Sequence, residues 1–219
     1  MADDLTLGAR AYAPAREIST AALLGQVLFL VAVAIGFLAI GSLIGRDLSQ
    51  GAALAFSLGG FGMLMISSFG GERFRVGGFA MGWLFATALV IGIGLAPALD
   101  YYIAADPQAF TQAAAGTALT VVLCGCAGMI IARDLARWMR PVALIVFVAA
   151  LASWVLVLVN SSLSPVLSVV IYGFSALLLV IDFNYIRRRG AEDDVVWLAT
   201  GIFVSIVNIF LSLLNLFSR

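Results

Sequence analysis

The stretch PVLSVVIYGFSALLLVIDFNYIRRR, residues 165–189, is the part of the chain from which the fold can be worked out. It runs without a charge from Pro165 to Ile181, then presents Asp182, and ends after four further residues in three arginines. Such a charge-free run has the length of a membrane-spanning helix. An ionisable group inside a spanning helix costs about 2.5–3.5 kcal/mol on insertion scales, so Asp182 is a candidate functional residue by default.

The composition of the whole chain indicates an all-α polytopic membrane protein. Of its 219 residues, 63% are hydrophobic and 11% are charged, whereas soluble domains carry about 25% charged residues. The net charge is zero, so no long-range field favours nucleic acid. Every basic residue is an arginine. The chain has no histidine, which argues against histidine-based catalysis and metal binding. We predict no enzyme activity, no catalytic residue, no metal site and no cofactor.

Seven charge-free stretches have the length that a bilayer requires. Together they predict a single seven-helix transmembrane domain, residues 20–219, after an N-terminal tail, residues 1–19. Proline is suited to a first helical turn, so Pro107, Pro141 and Pro165 are expected to begin helices, with Asp106 and Ser164 as N-caps, while Pro97 is expected to bend or end the third. The stretches are Ala21–Gly45, Gly51–Gly71, Val76–Leu99, Pro107–Ala132, Pro141–Val159, Pro165–Ile181 and Val195–Ser218.

The arginines predict how the helices are oriented. Ten of the twelve fall in the N-terminal tail and in the connections after the second, fourth and sixth stretches, whereas Arg46 and Arg219 fall on the other side. Cytoplasmic segments carry the excess of basic residues. The N-terminal tail is therefore predicted to be cytoplasmic and the C-terminus to lie outside, in a protein of the inner (plasma) membrane with lipid as its surroundings.

The last two stretches each carry a stripe of small and polar residues with a period of 3.5. Such stripes usually face protein, so we predict an antiparallel helix pair with both stripes inward, held by close packing and modest hydrogen bonds. The stripe of the sixth stretch is Ser168, Tyr172, Ser175, Leu179, Asp182 and Ile186, and that of the last is Gly201, Ser205, Asn208, Ser212 and Asn215.

Asp182 can lower the cost of its charge in two ways, by binding a proton or by pairing with Arg73, Arg75 or Arg187. Either state makes the acid a candidate pH sensor; the alternative is a helix-end acid whose side chain reaches interfacial water or an arginine. At 1.5 Å per residue, Asp182 is expected level with residues 199–201 of the last helix. A contact with Ser205 would require the sixth helix to lie deeper than its arginines suggest.

The sequence ATGIFVSIVNIFLSLL, residues 199–214, closely resembles the final span of the Bax inhibitor-1 superfamily, most of all its bacterial YccA-like branch. The acid late in the preceding helix, the charged hairpin of residues 190–194 and Asn160 after the fifth span fit the same pattern. The resemblance implies a seven-helix fold in which the last helix is central.

The resemblance also bears on function. In the branch proposed to leak calcium, two acids on the last two helices form a pH-sensing latch. The first falls on Asp182 and the second on Ser205, which cannot ionise, so the calcium-leak assignment is weakened. Members of the YccA-like branch are substrates and modulators of the FtsH-type membrane protease, which binds their cytoplasmic N-terminal tail. The resemblance therefore implies such a protease as a partner of this chain.

Two functions follow as hypotheses. The first is a non-enzymatic membrane protein that modulates membrane-protein quality control, through an FtsH-type protease, or stress survival. The alternative is a pH-sensitive calcium, cation or proton leak gated by Asp182, with Ser205 and Asn208 as neighbouring candidates. In that alternative, protonation would break an Asp182–arginine contact and let the last two helices shift.

Overall fold

The computed structural model describes residues 19–158 and 165–218, and these form seven long α-helices and two short 3-10 turns without a strand. All seven helices are long and apolar enough to cross a membrane. The prediction of an all-α, seven-helix membrane protein is therefore confirmed, whereas the direction in which the bundle crosses the membrane stays a prediction. The helices are α1 (Thr20–Ile44), α2 (Gln50–Phe69), α3 (Gly77–Ala105), α4 (Pro107–Ile130), α5 (Ala136–Leu158), α6 (Pro165–Arg188) and α7 (Val195–Phe217).

Two proline predictions are confirmed and one is wrong. Pro107 and Pro165 begin α4 and α6, and the Asp106 carboxylate accepts a hydrogen bond from the Ala109 N–H at 2.9 Å, as an N-cap does. Pro141 instead lies inside α5. This helix starts earlier because the Asp134 carboxylate accepts a hydrogen bond from the Ala136 N–H at 2.9 Å.

Two helices continue well past the C-terminal ends of the charge-free stretches that predicted them. Helix α3 continues through Pro97 to Ala105, so Pro97 does not end it. Helix α6 continues through Asp182 to Arg188. The charge-free criterion detects the apolar part of a helix and misses the polar turns at its end. Ser164 and Asn160, predicted as an N-cap and as the end of the fifth span, lie outside the described residues, as do residues 1–18 of the predicted tail and Arg219.

Helix α7 lies at the centre of the bundle. It contacts α1, α3, α4 and α6, while α1 and α2 pack on α3 and α5 packs on α6. Leu198, Ile202, Phe203 and Ile209 are among its fully buried side chains. The polar stripe of this helix therefore lies within protein, where a carboxylate from a neighbouring helix can reach it.

Glycine permits the close approach of α1 and α3. A Cβ built at Gly92 would lie 2.9 Å from the carbonyl carbon and 3.0 Å from the Cα of Leu38, and would overlap the Leu38 carbonyl oxygen. The facing Gly41 is equally tight, since its Cβ would lie 2.9 Å from the Ile93 nitrogen. Small residues of this kind let helix backbones touch in membrane proteins.

Gly92→Val is expected to destabilise the bundle by about 1–3 kcal/mol, because backbone atoms of α1 must move to admit the side chain. Denaturant unfolding in detergent micelles measures the change. Gly82→Val is the matched control on the same helix, because a Cβ at Gly82 meets nothing within 4 Å. Equal losses in the two variants would contradict the close-packing account.

Candidate functional site

Helices α6 and α7 pack antiparallel with their polar stripes facing each other, which confirms the prediction from the 3.5-residue period. At one end, Asn215 Nδ2 donates a hydrogen bond to Ser168 Oγ at 2.6 Å. At the other end the Asp182 carboxylate faces Gly201, where a Cβ would lie 3.5 Å from Oδ2. The helix-rise estimate that places Asp182 level with residues 199–201 is therefore also confirmed. We call this contact surface the α6–α7 seam.

The α6–α7 seam buries polar atoms that have no hydrogen-bond partner among the described residues. These atoms are Ser175 Oγ, Asp182 Oδ2 and Ser205 Oγ. The side chains are almost wholly buried, with Asp182 only 4% exposed. Asp182 and Ser205 thus share the seam without bonding to each other. Buried polar atoms without partners are rare in native proteins, and each is a candidate for a bound water, an ion or a functional role.

The arginines predicted as charge partners of Asp182 lie elsewhere. Arg73 lies over the ring of Phe79 and Arg75 over that of Trp197, each 5.8 Å from the ring centroid. Arg187 donates a hydrogen bond to the Met129 carbonyl oxygen. Within residues 19–158 and 165–218, the ion pairs are Arg46–Asp100 and Arg189–Asp134.

The expected Asp182–arginine contact is therefore corrected. Asp182 lies about 9 Å of helix rise inside the arginine end of α6, and the guanidinium groups bind carbonyl oxygens and aromatic faces at that end instead. Protonation of Asp182 has no such ion pair to break. The energetic cost of burying the Asp182 carboxyl is therefore not offset by an arginine.

A cavity of about 320 Å³ adjoins Asp182, and we call it the α2–α5 cavity. Helix α2 lines one side from Ser57 to Ser68, α5 lines another from Met139 to Ala150, and α7 contributes residues between Trp197 and Leu211. Phe61 and Phe147 both line it, and their rings stack with 5.6 Å between centroids, which brings α2 into contact with α5. Asn208, predicted from the polar stripe, is one of the few polar residues among its walls.

The electrostatic character of the α2–α5 cavity comes from one group. Asp182 is the single ionisable residue among those that line it, and the other polar members are serine, threonine and asparagine. The described residues contain no group of three or more histidine, cysteine or acidic side chains that is arranged to hold a metal ion. The site can therefore exchange a proton or receive one cationic group, and it offers too few oxygen ligands to hold a dehydrated divalent ion.

Asn184 is a buried polar residue of the site region that the sequence interpretation missed. Its Oδ1 accepts a hydrogen bond from the Leu135 N–H at 3.0 Å, and its Nδ2 donates to the carbonyl oxygens of Gly128 and Ile131 at 3.2 and 3.0 Å. The side chain is fully buried. Asn184 thereby fastens the α4–α5 connection to α6, two residues after Asp182. An amide so close to the acid in an apolar helix was the available signal.

A salt bridge reinforces the same end of α6. Arg189 Nε donates to Asp134 Oδ2 at 2.7 Å, outside the predicted spans. The hydrogen bond from the Ala136 N–H, followed by the Arg189 guanidinium, lowers the pKa of the Asp134 carboxyl below its ordinary value of 3.8. A carboxyl with a lowered pKa stabilises the folded state above its unfolded-state pKa, and this contribution is lost as the pH falls through the folded-state value.

Asp134→Asn is expected to lower thermal stability slightly at neutral pH and to leave it unchanged below the folded-state pKa, where the wild-type carboxyl is protonated too. Added salt should shrink the neutral-pH difference, because the pair is solvent-exposed. Asp193→Asn removes an exposed acid from the α6–α7 connection and serves as control. A loss for Asp134→Asn that is independent of both pH and salt would contradict the assignment.

The chain is similar to one family of known proteins. The family model described as inhibitor of apoptosis-promoting Bax1 matches residues 20–219, which include all seven helices. A search of curated proteins gives no match.

Proposed function

Because the chain belongs to the Bax inhibitor-1 family, we propose that it is a multi-pass membrane protein in which ionisation of Asp182 controls how α6 and α7 pack, and thereby a cation or proton leak. The observation that carries the proposal is that Asp182 is only 4% exposed and makes no ion pair within the described residues. The proposed membrane is the inner (plasma) membrane.

The surroundings of Asp182 indicate whether its neutral or its ionised form favours the closed α6–α7 seam. A carboxylate without a cationic partner is costly in apolar surroundings, whereas the neutral acid is tolerated there. The closed α6–α7 seam is therefore matched to neutral Asp182. Ionisation requires water or a cation to enter beside Oδ2, and the nearby Ser175 and Ser205 hydroxyls, which have no described partner, offer the next hydrogen bonds.

Entry of water would convert the dry seam into a polar one. Ser175, Asp182 and Ser205 lie along the contact that runs from Gly201 to Asn215 on α7, a length of about 21 Å. This is most of the thickness of a hydrocarbon core. We propose that the leak passes along the α6–α7 seam, is small when Asp182 is neutral and rises as Asp182 ionises.

Liposomes with purified protein test this function. Calcium and proton efflux are followed with internal dyes between about pH 5 and about pH 8, against protein-free liposomes. The proposal expects a protein-dependent leak that is larger at the alkaline end. Calcium and proton rates equal to those of protein-free liposomes at every pH would refute the proposed leak.

The other proposed role is non-enzymatic modulation of membrane-protein quality control or stress survival. It is supported by the family membership together with the tail, residues 1–19, which precedes the region that the family model matches. That tail contains both charges and apolar residues, and an FtsH-type protease is the proposed partner.

Deletion of residues 2–18 is expected to reduce co-purification with the protease and to prolong the lifetime of the protein in cells. A variant in which these residues are scrambled keeps tail length and composition and serves as control. Unchanged association and turnover after deletion would show that the tail is not the point of contact. The liposome leak should survive the deletion, because α6 and α7 are intact.

A further inference from the structure

We propose that the α2–α5 cavity binds a single-chain lipophilic amine, with its ammonium group at the Asp182 carboxyl and its apolar chain along α7. The cavity volume of about 320 Å³ falls at the lower end of the range for small-molecule sites, roughly 300–1,000 Å³. The occupant is identified by its charge and its shape. The inference concerns the same carboxyl as the proposed leak, but it does not require that any ion be conducted.

The charge follows from Asp182. Its Oδ2 is buried and has no hydrogen-bond partner among the described residues, and Asp182 is one of the residues that line the cavity. The side chain is 4% exposed, so bulk water does not solvate it. Since the residues lining the cavity include no cationic side chain, a ligand ammonium would provide the charge-assisted hydrogen bond that the protein does not supply.

The shape follows from the helices that line the cavity. Its wall on α7 extends from Trp197 to Leu211, a rise of about 21 Å, and both α2 and α5 flank it over roughly three turns. Asp182 faces Gly201, near the Trp197 end. The cavity is thus long and apolar, with one acid close to one end, which is complementary to a linear chain with one cationic head.

Competing occupants fit less well. A lipophilic amine can take the proton of Asp182 and pair, as an ammonium, with the carboxylate that this leaves. A fatty-acid carboxylate would be repelled by that ionised form, and a long-chain alcohol would leave its charge unpaired. Water gains few partners along apolar walls, which usually stay dry. A divalent cation takes six or more oxygen ligands, whereas the cavity offers one carboxyl and a few scattered polar groups.

Binding is tested with dodecylamine, dodecanol and dodecanoate, three probes of equal chain length. The full-length protein in nonionic detergent is titrated by calorimetry without any ion gradient. Dodecylamine should bind saturably and about tenfold or more tightly than the other two, as expected for one buried charge-assisted hydrogen bond. Equal binding of the three probes, or none above that of empty micelles, would overturn the proposal.

Two variants test separately where the ammonium group binds and where the apolar chain binds. Asp182→Asn should lower dodecylamine affinity to that of dodecanol, and unchanged amine affinity would refute the assigned head site. Ala143→Phe fills the cavity wall on α5 and should abolish amine binding, whereas Ala152→Phe, on an exposed position of the same helix, should not. Thermal unfolding shows whether each variant is folded.

A measurement on the wild type makes the test independent of variant folding. A dodecylamine with a photoreactive group at its chain end should label peptides of α2, α5 and α7 that line the cavity, and excess dodecylamine should compete. Labelling confined to lipid-facing residues elsewhere would contradict the site. Amine binding without any leak would refute the proposed function alone, and a leak without amine binding would refute this inference alone.

Discussion

Asn184→Ala is expected to lower the free energy of unfolding by about 2–4 kcal/mol, a large part of the stability of a protein of this size. The substitution removes three hydrogen bonds at once, from the Leu135 N–H and to the carbonyl oxygens of Gly128 and Ile131. Each backbone group is then left without its partner near the ends of α4 and α5. The side chain is 0% exposed, so water does not readily replace the lost bonds.

Matched variants make this prediction specific. Asn184→Asp keeps the acceptor for the Leu135 N–H but loses both donors when ionised and one of them when protonated, so it too should destabilise the protein. Asn208→Ala removes the same amide from the half-buried wall of the α2–α5 cavity and should cost much less. Denaturant unfolding in micelles gives the ranking. A loss for Asn184→Ala no greater than that for Asn208→Ala would contradict the proposed role of Asn184 in holding the α4–α5 connection to α6.

The hydrogen bonds of Asn184 matter for the site because they lie close to Asp182 on α6. Asn184 lies two residues after Asp182, and Gly128 on α4 is packed so closely that a Cβ there would lie 2.7 Å from the Phe183 Cβ and 3.0 Å from the Asn184 nitrogen. The arginine end of α6 is therefore fixed to α4 and to the start of α5. Movement in response to Asp182 is accordingly expected on the α7 side, where Gly201 leaves the approach open.

Asp182→Asn is expected to abolish the pH dependence of the leak and to hold its rate near the acidic wild-type level. Asparagine has nearly the shape of the neutral acid but cannot ionise, so the α6–α7 seam has no reason to hydrate as the pH rises. At alkaline pH the difference from wild type should be about tenfold or more, since one buried charge changes the balance by more than 1.4 kcal/mol.

Asp193→Asn is the control for that experiment, because it removes one acid from the exposed α6–α7 connection and leaves the seam unchanged. Its leak should follow the wild-type pH profile. A wild-type profile in Asp182→Asn, or the loss of pH dependence in Asp193→Asn, would assign the response to another group.

Periodic features of the sequence predicted the site most accurately. The 3.5-residue stripes on residues 165–218 indicated which faces of α6 and α7 meet, because a helix places every third or fourth residue on one side. The constant rise of a helix likewise placed Asp182 opposite Gly201. Both inferences depend on regular backbone geometry, which the local sequence determines.

Features that depend on long side chains or on distant segments were not predictable in the same way. Arginine can bind carboxylates, carbonyl oxygens or aromatic rings, and the choice of Arg75 and Arg187 depends on where Trp197 and Met129 lie. The partners of Asn184 are about fifty residues away. The α2–α5 cavity arises from how separate helices pack, so no single stretch encodes it.

The central claim is that Asp182 is a neutral, unpaired acid in the closed α6–α7 seam, and infrared spectroscopy tests it most directly. The C=O stretch of a protonated carboxyl is recorded for wild type and Asp182→Asn at about pH 7, where ordinary carboxyl groups are ionised. The account predicts a band in the wild type that is absent from Asp182→Asn and disappears as the leak opens at higher pH. Identical spectra for the two proteins, with no such band from acidic to alkaline pH, would contradict it.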